Sequence, residues 1–166
     1  MRHVTRGDTI ADCDVSRSGV VLGRRGGMIQ QTILPFYLGV GGRMGAGDQV
    51  MPWIHVKDVA GLMAHCVTSP TAAGVYNTVS PRRVTNAEFT RAYAAALHRP
   101  AVLPVPGFVM TTLFGAERAA MVLGSQTVVP RRTLDSGYEF QYPSIEEACE
   151  EFAHLHYIDP DQDTLL

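Results

Sequence analysis

The sequence predicts an α/β fold, one half of a parallel sheet followed by a small α+β subdomain. Three observations carry that reading. Strand-like and helix-like stretches alternate as far as residue 100, the pattern of helices packed on a parallel sheet. The segment SGVVLG, Ser18 to Gly23, supplies a β-branched run, consistent with a buried strand that delivers the chain to a loop. The phrase AVLPVPG, Ala101 to Gly107, is a proline-punctuated extended connector and marks the boundary between the two parts.

Taken in order, residues 1–16 are polar and carry no period, so they read as a loose lead-in. The strand from Arg17 delivers the chain to a loop, Arg24 to Gly27, and Met28 to Leu38 reads as a short helix that Pro35 kinks or stops. The next stretch is GVGGRMGAGDQVMPWIHVKD, Gly39 to Asp58. It runs from a glycine-dense loop into an apolar strand, Val50 to Ile54, and then into a helix beginning near Val56 to Asp58. Val59, Leu62, Met63, Cys66 and Val67 form one apolar stripe on that helix, which Ser69 and Pro70 end. Gly74 to Val79 is a second strand. Thr85 and Glu88 have the spacing of a capping box, and Phe89, Tyr93, Ala96 and Leu97 continue that helix to about His98.

Beyond the connector, Phe108 to Leu123 reads as a mostly apolar helix ended by Gly124. Thr127 to Val129 reads as a short strand, and the alternation of Tyr138, Phe140 and Tyr142 as a half-buried one. Ser144 and Glu147 repeat the capping spacing before a last helix to about His154, and Tyr157 to Leu166 reads as a frayed tail. The domain limits are therefore 17–100, 101–156 and the tail 157–166.

Composition excludes several classes. The chain has 166 residues, 46% of them hydrophobic, and a formal charge of −2; that is enough to bury one core and carries no basic block for nucleic acid or an anionic membrane. Cys13, Cys66 and Cys149 are three and far apart, which points away from a disulfide framework and toward a reducing compartment. With no membrane-span run and no signal-peptide core, the expected location is intracellular and cytoplasmic, a mitochondrial one remaining open.

Candidate chemistry sits first at the carboxyl ends of the strands, where parallel sheets bind ligands. The spacing Gly39, Gly42, Gly45 resembles a dinucleotide loop by pattern, but a helix precedes it and a strand follows, the reverse of what that loop needs; the glycines read as a bend that permits positive φ. Trp53 reads as packing more than as a substrate platform. His55 with Asp58 is either an acid/base pair or, as favoured, a helix start with Asp58 meeting the dipole. Cys149, His154 and His156 have only a superficial metal-ligand spacing, and no base or electropositive niche marks a nucleophilic cysteine. Arg131 and Arg132 fit a solvated turn better than a phosphate grip. Lys57 is the single lysine, and no tyrosine stands four residues before it, so a Tyr-x-x-x-Lys pair is not formed in this chain.

Several phrases then carry a family resemblance: RSGVVLG, LPFYLGVGGRMGAGDQVMPWIHVKDVAG, GVYNTVSP, TNAEF and VVPRRTLDSGYEFQYP. Over about Arg17 to Glu151 the chain resembles the epimerase family of atypical extended short-chain dehydrogenases/reductases. The resemblance implies a partial Rossmann-like C-terminal half, with residues from about Ala101 belonging to that family's extra C-terminal domain of unknown function. It implies NADP as cofactor, with the strand of Gly19, Val20 and Val21 passing the nicotinamide. It implies that Gln49, Trp53 and His55 line or support the substrate side. Met51 stands where sugar-nucleotide epimerases place an arginine, and a thioether cannot meet a diphosphate. The glycine turn that orients the cofactor is not found. Two functions follow: a fragment of an NADP-dependent oxidoreductase, inactive alone, with an unknown small-molecule substrate; or a non-catalytic module that pairs with a protein partner at an exposed sheet edge.

Overall fold

The structure, a computed structural model, describes residues 13–24, 26–69, 72–101, 104 and 124–153. The apolar helix expected from Phe108, the tail and most of the lead-in and connector lie outside the described residues.

The parallel frame expected from the alternation is present. Strand β1 (Cys13–Ser18) pairs in parallel with β5 (Gly74–Thr78), and β2 (Val20–Leu22) pairs in parallel with β4 (Trp53–His55). These are two parts of one run that changes neighbour at Gly19, whose amide donates to the Thr78 carbonyl at 3.0 Å while the Val20 amide donates to the Pro52 carbonyl at 2.7 Å. A Cβ on Gly19 would meet the Pro52 oxygen at 2.6 Å. Only glycine lets the two backbones approach that closely. The expected strand Val50 to Ile54 is broken at Pro52, which has no amide to donate: β3 (Val50–Met51) turns to an antiparallel partner, β6 (Val84–Thr85), and β4 alone joins the parallel pair.

Helix α1 (Gly27–Tyr37) keeps Pro35 in its last turn, so the proline stops the helix rather than kinking it. In the following loop Gly39, Gly45 and Gly47 hold positive φ, as a bend rather than a phosphate loop. Helix α2 (Val56–Thr68) buries Leu62 and Cys66 of its expected stripe but exposes Met63 and Val67. Helix α3 (Asn86–Ala96) starts on the full Thr85–Glu88 capping box. Two short helices follow, α4 (Arg131–Asp135) and α5 (Ile145–Phe152), the latter opened by Ser144 accepting from the Glu147 amide. One core joins Leu22, Ile29, Trp53, Phe89, Tyr93 and Phe152 under α1, α3 and α5. A smaller one joins Leu62, Cys66, Ala72 and Tyr76, with Tyr138 against it.

Three expectations are corrected. Residues 13–16 belong to β1 rather than to a loose lead-in, because backbone pairing with β5 supplies what their side chains do not advertise. Thr127 to Val129 forms no strand; Asn77 Nδ2 donates to the Val129 carbonyl at 3.0 Å instead. Tyr138 to Tyr142 alternates but is not a strand. Its amides are spent on a side chain: the buried Asp58 carboxylate accepts from the Gln141 amide at 2.7 Å, the Tyr142 amide at 3.0 Å and the Tyr138 hydroxyl at 3.1 Å. Gly61 leaves room for this, since a Cβ there would collide with the Tyr138 hydroxyl.

Replacing Asp58 by Ala strands these donors in the interior and should cost about 3 kcal/mol or more. Tyr138→Phe, which removes one donor and leaves the carboxylate two, should cost about 1 kcal/mol. Urea unfolding of the two variants beside the parent chain measures both; equal midpoints would show that the contact does not hold the C-terminal segment.

Candidate functional site

The site grows from the end of β4. Trp53, Ile54 and His55 are all buried, and the chain passes from His55 directly into α2. His55 is itself the helix N-cap: its Nδ1 accepts from the Lys57 amide at 3.2 Å, the task usually given to a serine, threonine or aspartate oxygen. Accepting there leaves Nε2 to carry the proton, and Nε2 lies 3.2 Å from Glu151 Oε2. The other Glu151 oxygen lies 2.9 Å from Lys57 Nζ, and Lys57 Nζ donates to the Tyr142 hydroxyl at 3.3 Å. The Tyr142 ring lies against His55, tilted by 30°, with centroids 4.0 Å apart. Sequence places this histidine and lysine two residues apart; Tyr142 and Glu151 arrive from the far end of the chain.

The electrostatics follow from burial. Desolvation pulls the His55 pKa down, outweighing the pull of Glu151 and Asp58 in the other direction. Burial also works against the charge on Glu151, but its hydrogen bonds to Lys57 and His55 win and hold its carboxyl below the usual range. The same bond to Glu151 raises Lys57. The result is a neutral imidazole beside an ammonium–carboxylate pair. With both ring nitrogens committed and no exposed surface, His55 acts as a positioning group. Lys57, half exposed, is the member free to meet a ligand.

Lys57 and Glu151 form the polar end of a cavity of about 630 Å³, together with Arg24, whose guanidinium donates to the Glu151 carbonyl at 2.6 Å. Val21 and Val56 give it an apolar wall, and Gly23, Gly26 and Gly27 keep backbone close to its surface. The cavity lies at the carboxyl end of β2 and β4, where a parallel sheet presents its ligand site. A neighbouring cavity of about 280 Å³ is bordered by Gly19, Val20, Met28, Met51 and Pro52.

The structure thus puts Val21 on one cavity and Gly19 with Val20 on the next. None of the three residues expected on the substrate side borders either of these two cavities. Gln49 is buried, donating from its amide to the Met44 carbonyl at 3.1 Å. Trp53 packs in the main core, and His55 stands behind Lys57. Sequence reasoning missed Arg24, Lys57, Tyr142 and Glu151 as a group. Lys57 carried a signal, being the single lysine beside the histidine; Glu151, 96 residues from its partner, carried none.

The other candidates resolve in the bland direction. Arg132 donates to the Ala73 carbonyl at 2.9 Å, tying α4 to the start of β5. Burial pushes the Cys149 thiol up, the opposite of an activated nucleophile. Among the described residues no three metal-binding side chains cluster, His154 and His156 being outside them. No described helix is long and apolar enough to cross a membrane.

Comparison with known proteins places these features. Residues 105–152 match a domain of unknown function, DUF1731. The chain is 51% identical over 138 residues to epimerase family protein SDR39U1 of Bos taurus, covering 82% of this chain and 47% of that protein. It is 39% identical over 132 residues to the chloroplastic SDR39U1 homolog of Arabidopsis thaliana, covering 80% and 38%. Among solved structures, human epimerase family protein SDR39U1 (isoform 2) with NADPH superposes with a TM-score of 0.83 at 46% identity, over 89% of this chain and 50% of that one. UDP-N-acetylglucosamine 4-epimerase from Bacillus cereus superposes at 0.64 with 15% identity, a likeness of fold. The chain spans about half the length, or less, of the curated relatives it matches.

Because His55 is held below its ordinary 6.5, the unfolded chain takes up that proton first as pH falls. Stability from the neutral imidazole is complete above about 6.5 and is lost on acidification, ahead of the Glu151 contribution, which is lost only below about 4.5. Parent chain should therefore lose stability as pH falls from about 6.5 toward about 5. His55→Asn, which keeps a cap and does not titrate, should show a flatter profile in thermal unfolding across that range; parallel profiles would refute the assignment.

Proposed function

The chain belongs to the epimerase family of extended short-chain dehydrogenases/reductases, and from that premise we propose that it supplies the substrate-side half of an NADP-dependent oxidoreductase or epimerase-like pocket. The observation that carries this reading is Val21. It is 37% exposed on a cavity at the carboxyl ends of two parallel strands, in a fold that superposes on a relative solved with NADPH. In this reading the nicotinamide end of NADP lies against Val21 and the backbone of Gly19 and Val20. Gly19 is there because any side chain would push the strand off Pro52.

When bound, the cofactor supplies hydride chemistry. The chain's own residues do the rest: Val21 and Val56 exclude water from one wall, and Lys57, oriented by Glu151 and Tyr142, donates to a substrate or cofactor oxygen. His55 holds Lys57 and Glu151 in register. Gln49 and Trp53 shape the substrate side from behind, through the loop after α1 and the core. Met51 in place of an arginine favours a small substrate without a diphosphate. By itself the chain turns over no substrate, since the residues described orient only one side of the cofactor. The place of action is intracellular, cytoplasmic or organellar.

A second reading, a non-catalytic module that pairs with a protein partner, is favoured by β1, which among the described residues is paired with another strand only along the β5 side. An open edge of that kind is a template for another chain.

NADPH fluorescence titration of the purified chain tests the first reading. Expected is no saturable binding in the micromolar range, with binding restored on mixing with the other half of a relative, and abolished again by Val21→Trp. Tight binding by the chain alone would overturn the claim of inactivity; restored binding indifferent to Val21→Trp would overturn the site.

A further inference from the structure

A third cavity, of about 480 Å³, opens between α3 and the glycine loop that follows α1, and the cofactor reading does not use it. Three arginines line it: Arg43 from the loop, Arg91 from α3 and Arg99 just past the end of α3. No aspartate or glutamate stands among its described lining residues. Glu88, whose charge acts on Arg91 and which borders a different cavity with it, has one oxygen engaged: its Oε2 accepts from the Thr85 amide at 2.7 Å and from the Thr85 hydroxyl at 2.8 Å. Two of the three arginines are held by neutral neighbours. The Arg43 stem lies over Gly47, and the Arg99 guanidinium sits 4.7 Å over the Tyr37 ring. Arg43 and Arg99 are thus held by neutral groups, while Arg91 also feels the charge of Glu88.

Thr90, in the same wall, gives independent support. It is 4% exposed, and its hydroxyl has no hydrogen-bond partner among the described residues. A helical threonine ordinarily returns its hydroxyl to the carbonyl four residues back, as Thr32 does to Met28 and Thr68 to Ala64. A buried hydroxyl left unpaired is costly, and this one belongs to a residue that borders the cavity. The remaining lining residues are alanines, which leave the space open.

We propose that this cavity binds a small molecule carrying a diphosphate, its oxygens shared among Arg43, Arg91 and Arg99 and met by the Thr90 hydroxyl. Three guanidiniums match the charge of a diphosphate better than that of a single carboxylate, and each fork donates to two oxygens at once. The volume suits a small ligand.

Inorganic pyrophosphate is the probe, titrated into the whole chain by calorimetry at about 0.15 M salt, where long-range surface attraction is screened. Expected is one-site binding that weakens by about tenfold for Arg91→Gln and again for Arg99→Gln, with inorganic phosphate binding more weakly than pyrophosphate. Lys57→Gln, at the other cavity, should leave the affinity unchanged. Absence of binding, binding insensitive to both arginine variants, or loss of binding in Lys57→Gln would each overturn the proposal. Circular dichroism of each variant separates lost binding from lost fold.

Discussion

A single buried carboxylate governs the arrangement. Asp58 sits at the start of α2 with no exposed surface and takes donors from Tyr138, Gln141 and Tyr142. A charge in that position is tolerable only when its oxygens are satisfied, and the segment 138–142 satisfies them with two main-chain amides and a hydroxyl. The helix N-terminus adds favourable dipole interaction. Satisfying Asp58 is therefore the same event as docking the C-terminal segment. That docking brings the Tyr142 ring onto His55 and carries α5, with Glu151, to Lys57.

The site downstream of that contact is organised by a difference in exposure. His55, buried, stays neutral and serves as a cap; Lys57, at the surface, stays charged; Glu151, between them, is ionised because it bonds to both. An acid/base pair of His55 and Asp58 was one sequence-level possibility, and geometry separates the two. Asp58 faces the C-terminal segment, while the histidine faces Glu151. The same helix start thus performs two unrelated tasks, holding a distant segment with one residue and orienting a lysine with another.

Much of the framework was legible locally. The Thr85–Glu88 box, the burial of Leu62 and Cys66, the bend made by Gly39 and its neighbours and the helix start after His55 depend on residues within a few positions of one another. What misled was also local. The alternation of Tyr138, Phe140 and Tyr142 has strand period, but period reports which faces side chains take, not where the amides go. Residues 13–16, which show no apolar period, hid a strand for the converse reason.

Sequence alone therefore determined the class of the fold and the strand that carries Val21, because patterns of apolar residues are read along the chain; the family followed from the resemblance of whole phrases. Tertiary structure decided which charged groups share a cavity. Lys57 meets Glu151, and Arg43 shares a wall with Arg91 and Arg99, through separations that no periodicity spans. Charges interact through space at a few ångströms, and only the folded backbone sets those distances.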